Sequence, residues 1–271
     1  MTAAREHGTV LAGANGGRLS FREVVGLLAS AQKKAAPGSP PYSVYVNRPA
    51  GRLAAAAAFR AGLAPNTVSA ISFAFTGAGI LLLATAPASG WVGLLVWLAL
   101  AAGYVLDSAD GQVARLTGGG SMAGEWLDHV LDSIKIPSLH LAVLLSLFRN
   151  FELGKAWLLV PVGYTIVASV SFFAMILNDQ LKARHTLQTG TPVVSTGRRS
   201  GARSLLLVPT DYGVLCLLFL TLGLNTVFLA LYAAFFAANA AHLLLATRKW
   251  FADFQRLTAV AAPVSFKEPQ G

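Results

Sequence analysis

A chain of 271 residues with 55% hydrophobic and only 12% charged side chains, and a mean hydropathy of +0.59, is too apolar for a soluble globular domain and reads as an all-α, polytopic membrane protein. Its formal net charge of +9 lies beside apolar runs with no aromatic-interleaved basic stretch, which points to anionic lipid headgroups and away from nucleic acid. The single cysteine, Cys216, excludes a disulfide framework and a thiolate metal site, and reads as a small apolar packing residue.

Residues 1–18, rich in Gly and Ala, carry no regular signal, and residues 1–41 contain no apolar run of signal-peptide type. Ser20-Phe-Arg-Glu23 forms a capping box that opens a short helix through Leu27 and Leu28 to Lys33 and Lys34, ended by Pro37 to Pro41. That helix either rests on the membrane surface or belongs to a mobile extension. Residues 1–41 are therefore expected to be a cytosolic extension, 42–250 the membrane domain and 251–271 a cytosolic tail. From Tyr42 to Gly62, Arg48, Pro49, Arg52 and Arg60 surround five consecutive alanines, a pattern for an interfacial helix too short and too charged to span. Each arginine taken singly is explained at least as well by snorkelling to headgroups as by a ligand.

Six segments are long and apolar enough, or nearly so, to cross a hydrocarbon core: about 67–87, 90–106, 123–147, 156–178, 205–223 and 226–247. Pro65-Asn66-Thr67 opens the first, with Asn66 as its N-cap. With an even number of spans and both termini cytosolic, 18 of the 21 Lys and Arg residues fall on the inner side; only Arg149 and Lys155 lie outside, and Lys135 is within the third span.

The second and third spans meet at Asp107-Ser-Ala-Asp110-Gly111-Gln-Val-Ala114-Arg115, eight further residues, then Gly124-Glu-Trp-Leu-Asp128-His-Val-Leu-Asp132. At helical pitch Asp107, Asp110, Gly111 and Ala114 share one face, and Gly124, Asp128 and Asp132 share another. Unpaired carboxylates at the end of apolar helices are expensive, and hard oxygen donors at this density suit Mg2+, Mn2+ or Ca2+. The acid spacing does not fit an EF-hand. Glycines on the carboxylate faces permit close approach, and Arg115 suits a phosphate or carboxylate. An aspartate-rich loop that merely caps two helices is the plainer alternative.

In the third span Lys135 extends the carboxylate face, either as a structural ion pair with Asp132 or as a contact to a substrate phosphate. Glu125 reads as a helix-start acid and His140 as a hydrogen-bonded core histidine. The connection from Asp179 to Pro209 carries Lys182, Arg184, Arg198, Arg199 and Arg203, a solvated topogenic loop or an anion pocket beside the acidic cluster. Asp211 is a candidate partner for one of these arginines.

The pattern D-x2-D-G-x2-A-R-x8-G-x3-D-x3-D, complete from Asp107 to Asp132, resembles the signature of the CDP-alcohol phosphotransferases, and the hydrophobic layout is similar from about Tyr42 to Trp250. The resemblance implies transfer of a substituted phosphate, such as phosphatidyl, from a CDP-alcohol to an acceptor hydroxyl with release of CMP. It further implies one or two Mg2+ or Mn2+ ions on Asp107, Asp110 and Asp128, with Asp132 as base and additional metal contact. Asp107, Gly111, Ala114, Arg115, Gly124 and Asn66 would face the nucleotide, and Lys135, Arg198, Arg199 and Arg203 a phosphorylated acceptor. Membrane lipids are expected partners, the chain is expected to be a homodimer, and the site is expected to open on the cytosolic face. The rival reading is a cation transporter, whose carboxylates should lie near mid-membrane.

Overall fold

A computed structural model describes residues 19–32, 39–118, 120–190 and 207–261. Arg198, Arg199 and Arg203 lie outside the described residues. Every regular element among the described residues is helical, and five helices are long and apolar enough to cross a membrane.

Helix α1, Phe21–Ser30, begins with the expected capping box: the Glu23 amide donates to Ser20 Oγ and the Ser20 amide to Glu23 Oε2 at 2.7 Å. That backbone donor holds the exposed Glu23 carboxyl below its ordinary range. The helix is packed onto the rest of the chain. It buries Val24 and Leu28 against the alanines of α2, Arg48–Arg60, which follows a wider π-helical turn at Ser43–Asn47. The alanine run therefore does more than propagate a helix. Small side chains let α2 lie between α1 and α4, and a Cβ on Gly51 would stand 2.7 Å from Ser108 Oγ.

The long helices are α3 (Pro65–Thr85), α4 (Gly90–Leu116), α5 (Met122–Asn150) and α6 (Leu159–Thr189), the last entered through a 3-10 turn at Lys155–Leu158. The final helix, α8, is Asn225–Ala261. At 1.5 Å per residue α4 and α5 are each roughly 40 Å long, more than an apolar core of about 30 Å, so their motif halves project at one end. At its opposite end α5 is tied to α3: Arg149 Nη1 donates to the Ala84 carbonyl at 3.2 Å. Helices α3 and α4 approach closely through small residues: Ser72 Oγ donates to the Gly103 carbonyl at 2.8 Å, and Thr76 packs where a Gly103 Cβ would be. His140 is the buried core histidine expected, its Nδ1 2.8 Å from Tyr232 Oη and its ring stacked 3.9 Å from Tyr164.

The segment expected to form the fifth span, 205–223, is built differently. Its described part is a 3-10 turn at Val208–Thr210, the short helix α7 (Tyr212–Leu218) and a second 3-10 turn at Phe219–Thr221. Pro209 and the Asp211 cap stop an α-helix from starting sooner. Tyr212 packs edge-on to Tyr104 at 5.0 Å, while Gly223 abuts Gly90, so this short stretch runs antiparallel beside the first half of α4. The 3-10 turns, rising about 2.0 Å per residue against 1.5 Å, stretch it over that depth. A Cβ on Gly93 would meet the Phe219 carbonyl and stand 3.0 Å from Leu222 Cβ. We expect Gly93→Ala to destabilise the fold by about 1–3 kcal/mol through overpacking. Gly77→Ala, whose Cβ meets nothing within 4 Å, should not. Thermal unfolding of both variants in detergent checks this.

Candidate active site

The aspartates sit where two helices extend past their apolar lengths. Asp107 and Asp110 come from α4 and Asp128 from α5, and one ligand atom from each lies within 4.8 Å of the others. Ser121 caps α5 by accepting from the Gly124 amide at 3.0 Å. Gly118 takes φ +107°, a left-handed conformation that favours glycine.

Asp110 is buried, and its Oδ2 accepts from Ser69 Oγ at 2.6 Å, so α3 fixes the rotamer of one carboxylate. Asp132 stands apart from the group of three. Lys135 Nζ bridges Asp132 at 2.7 Å and Asp107 at 2.6 Å, joining α5 to α4 by a doubly paired ammonium. Both readings of Lys135 thus begin from a real ion pair, one that includes Asp107 as well as Asp132.

Gly111 and Arg115 are neighbours on α4; a Cβ at Gly111 would have only Arg115 Nη1 nearby, at 3.7 Å. Open space beside the carboxylate face is therefore real. Ala114 is on the same helical face, and Arg48 of α2 lies close to Arg115. Asn66 is not the N-cap of α3. The helix starts at Pro65 with Ala64 in the capping position, because proline favours the first helical residue. Freed from capping, Asn66 points across to α5, its Oδ1 3.3 Å from where a Gly124 Cβ would be. Glu125 is 3.9 Å from His129 one turn on, away from the three clustered aspartates.

On the membrane side of Asp107 lies a cavity of about 230 Å3 lined by Asp107, Asp132, Lys135, Thr76, Tyr104 and Tyr212, among others. Ile136 and Phe172 separate it from a larger, mostly apolar cavity of about 400 Å3 between α5 and α6. No local pattern in the sequence marks Ser69, Thr76, Tyr104 or Tyr212 as part of a site. Ser69, Ser72 and Thr76 do recur at helical spacing on α3, a small-polar stripe that goes with close helix packing.

Asp211 has backbone partners among the described residues, while Arg198, Arg199 and Arg203 of the expected arginine pairing lie outside them. It is buried, and its carboxylate accepts backbone N–H bonds from Ser43 and Gly213, each 3.1 Å.

The donor set suits a divalent cation: carboxylates of two helices converge, and oxygen is the only donor type in the cluster. An acidic trio at a helix-pair end, a basic residue within hydrogen-bond range and an adjoining cavity can bind and orient a phosphate-bearing substrate. Comparison with curated proteins finds no match. A family model described as CDP-alcohol phosphatidyltransferase matches residues 62–247, most of the chain and the whole of the site. With that match and its membrane-crossing helices, the chain is an integral membrane transferase of phosphate-containing groups and belongs to the CDP-alcohol phosphatidyltransferase family.

Proposed function

We propose that the protein transfers the substituted phosphate of a CDP-alcohol, such as CDP-diacylglycerol, to an acceptor hydroxyl and releases CMP. The observation that carries this reading is the convergence of Asp107, Asp110 and Asp128 within 4.8 Å beside a cavity that Asp132 lines. Asp107, Asp110 and Asp128 would hold one or two Mg2+ or Mn2+ ions, which when bound supply positive charge opposite the diphosphate. Gly111, Ala114, Arg115, Gly124 and Asn66 would receive the cytidine phosphate, a reading supported by the open space at Gly111 beside Arg115 and by Asn66 beside Gly124. Asp132, on the cavity side, takes the proton of the acceptor hydroxyl as its oxygen attacks the phosphorus and the bond to CMP breaks.

The apolar cavity behind Ile136 and Phe172 gives a lipid chain somewhere to lie, which favours a lipid-linked substrate. Purified protein supplied with CDP-diacylglycerol, Mg2+ or Mn2+, and glycerol 3-phosphate, inositol phosphate or serine should release CMP only when metal and an acceptor are both present. Cation flux in proteoliposomes without CMP release would favour the transporter instead. The carboxylates' position at one end of the helices, away from their middle, argues against that rival.

The site opens on the cytosolic face, because the motif turn shares its end of the bundle with the basic-rich segments. In a Cys216→Ala background, an impermeant thiol reagent applied outside should label Glu152→Cys and spare Gln188→Cys, both exposed positions. Reversed labelling of intact cells would place the aspartates on the wrong side for cytosolic nucleotides.

A further inference from the structure

Asp211 is 1% exposed, and its described partners are backbone amides: Ser43 and Gly213 at 3.1 Å, with Tyr42 as a third donor. A buried carboxylate satisfied this way is held by geometry, since each N–H comes from a fixed backbone. Two of the donors belong to the start of the interfacial segment and one to α7, so the side chain joins parts of the chain 168 residues apart. Around it the contacts are close. The Tyr42 ring packs against Gly213, leaving no room for a Cβ, and the Tyr104 hydroxyl hydrogen-bonds the Ser43 side chain. Tyr104 in turn packs edge-on against Tyr212. From the other side Asn239 Nδ2 donates to the Pro209 carbonyl at 2.8 Å and to Tyr164 Oη at 2.9 Å, pinning the turn that carries Asp211.

Tyr104 and Tyr212 are the aromatic wall of the cavity that also holds Asp107, Asp132 and Lys135. We propose that Asp211 is a positioning residue for acceptor binding: it clasps the Tyr42–Ser43 backbone to the start of α7 and so sets the Tyr104–Tyr212 wall. The inference rests on reading this cavity as the acceptor's place, which follows because the nucleotide side of Asp107 is the opposite one. Asp211 touches no reacting atom. Its effect passes through Tyr42, Ser43 and the two tyrosines, and it falls on the acceptor because the donor's cytidine is held by α4 and α5 beyond the aspartates.

Asp211→Asn is the direct test, since it keeps the shape but replaces one of the two accepting oxygens with an NH2 that cannot receive a backbone N–H. Two measurements separate this proposal from the functional reading. In the first, Thr76→Cys in a Cys216→Ala background reports access to the cavity, and Asp211→Asn should raise its labelling by a small methanethiosulfonate about tenfold, the order expected from losing a charge-assisted bond. In the second, with an acceptor that supports CMP release, Asp211→Asn should raise the acceptor's KM about tenfold with kcat and the CDP-alcohol KM within about twofold of wild type. Gly213→Ala, which drives the Tyr42 ring off α7, should repeat both effects, and Asp211→Glu should restore part of each. Wild-type labelling of Thr76→Cys in both Asp211→Asn and Gly213→Ala overturns the clasp whatever the activity shows. Equal losses in donor and acceptor KM overturn it as a specific positioning device. Failure of wild type to release CMP overturns the functional reading alone, and the labelling result still decides the clasp.

Discussion

Asp107→Asn, Asp110→Asn and Asp128→Asn, introduced singly, will each lower metal-dependent CMP release by at least about a thousandfold, which corresponds to ~4 kcal/mol of transition-state stabilisation. Asparagine keeps the volume and one accepting oxygen but removes the charge, and each aspartate supplies one atom of a group within 4.8 Å. Folding should survive the change. The carboxylates are not part of the core cluster around Leu100, Val143 and Phe219, and asparagine keeps their volume. A second readout separates metal loss from misfolding: Mg2+ or Mn2+ should raise the unfolding temperature of wild type and leave the variants unmoved. Asp110→Asn should also be the most disturbed locally, because its Ser69 partner is buried with it. Full turnover by any one variant removes that residue from the proposed site.

Asp132→Asn should behave differently, retaining CDP-alcohol binding while transfer falls by about a hundred- to ten-thousandfold, the range for loss of a general base. The geometry motivates the distinction. Asp132 lies outside the group of three and faces the cavity, where it pairs with Lys135. Lys135 retains Asp107 after the substitution, so the variant does not strand a buried cation. Binding measured by metal-dependent retention of labelled CDP-diacylglycerol, on the preparation used for turnover, checks the split. Loss of binding in proportion to turnover would make Asp132 chiefly a metal ligand.

The carboxylate faces are legible in the sequence because helical pitch alone aligns Asp107 with Asp110 and Asp128 with Asp132. Long apolar runs likewise mark α3 to α6 and α8. What stays hidden depends on which residues meet across the fold. Nothing local marks Ser69 as the partner of Asp110, Asp107 as the second partner of Lys135, or Tyr212 as a cavity wall. Asn66 misleads because asparagine before a helix usually caps it, whereas Pro65 takes the first helical position and leaves Asn66 facing Gly124. The apolar run at 205–223 suggests one long helix, since hydropathy does not reveal a proline and a buried aspartate dividing the backbone into a helix flanked by 3-10 turns. The helix at Phe21–Ser30 is visible from its capping box, but its packing on the alanines of α2 is not, because alanine serves helix propagation and close contact equally.

The bond between Asp211 and Ser43 also orders events in time. Ser43 is made 168 residues before Asp211, an interval of roughly 8–34 s at about 5–20 residues per second. Throughout that interval the Tyr42–Ser43 turn has no partner on α7, and α3 to α6 can enter the membrane and pack without it. A contact of such sequence separation closes slowly and late, because a long loop must be ordered before the bond repays it. The aspartates of α4 and α5 therefore come together while the chamber beside them still lacks its Tyr212 wall. The arrival of Asp211, with α8 still to follow, joins the Tyr212 side of the chamber to a segment synthesised near the beginning.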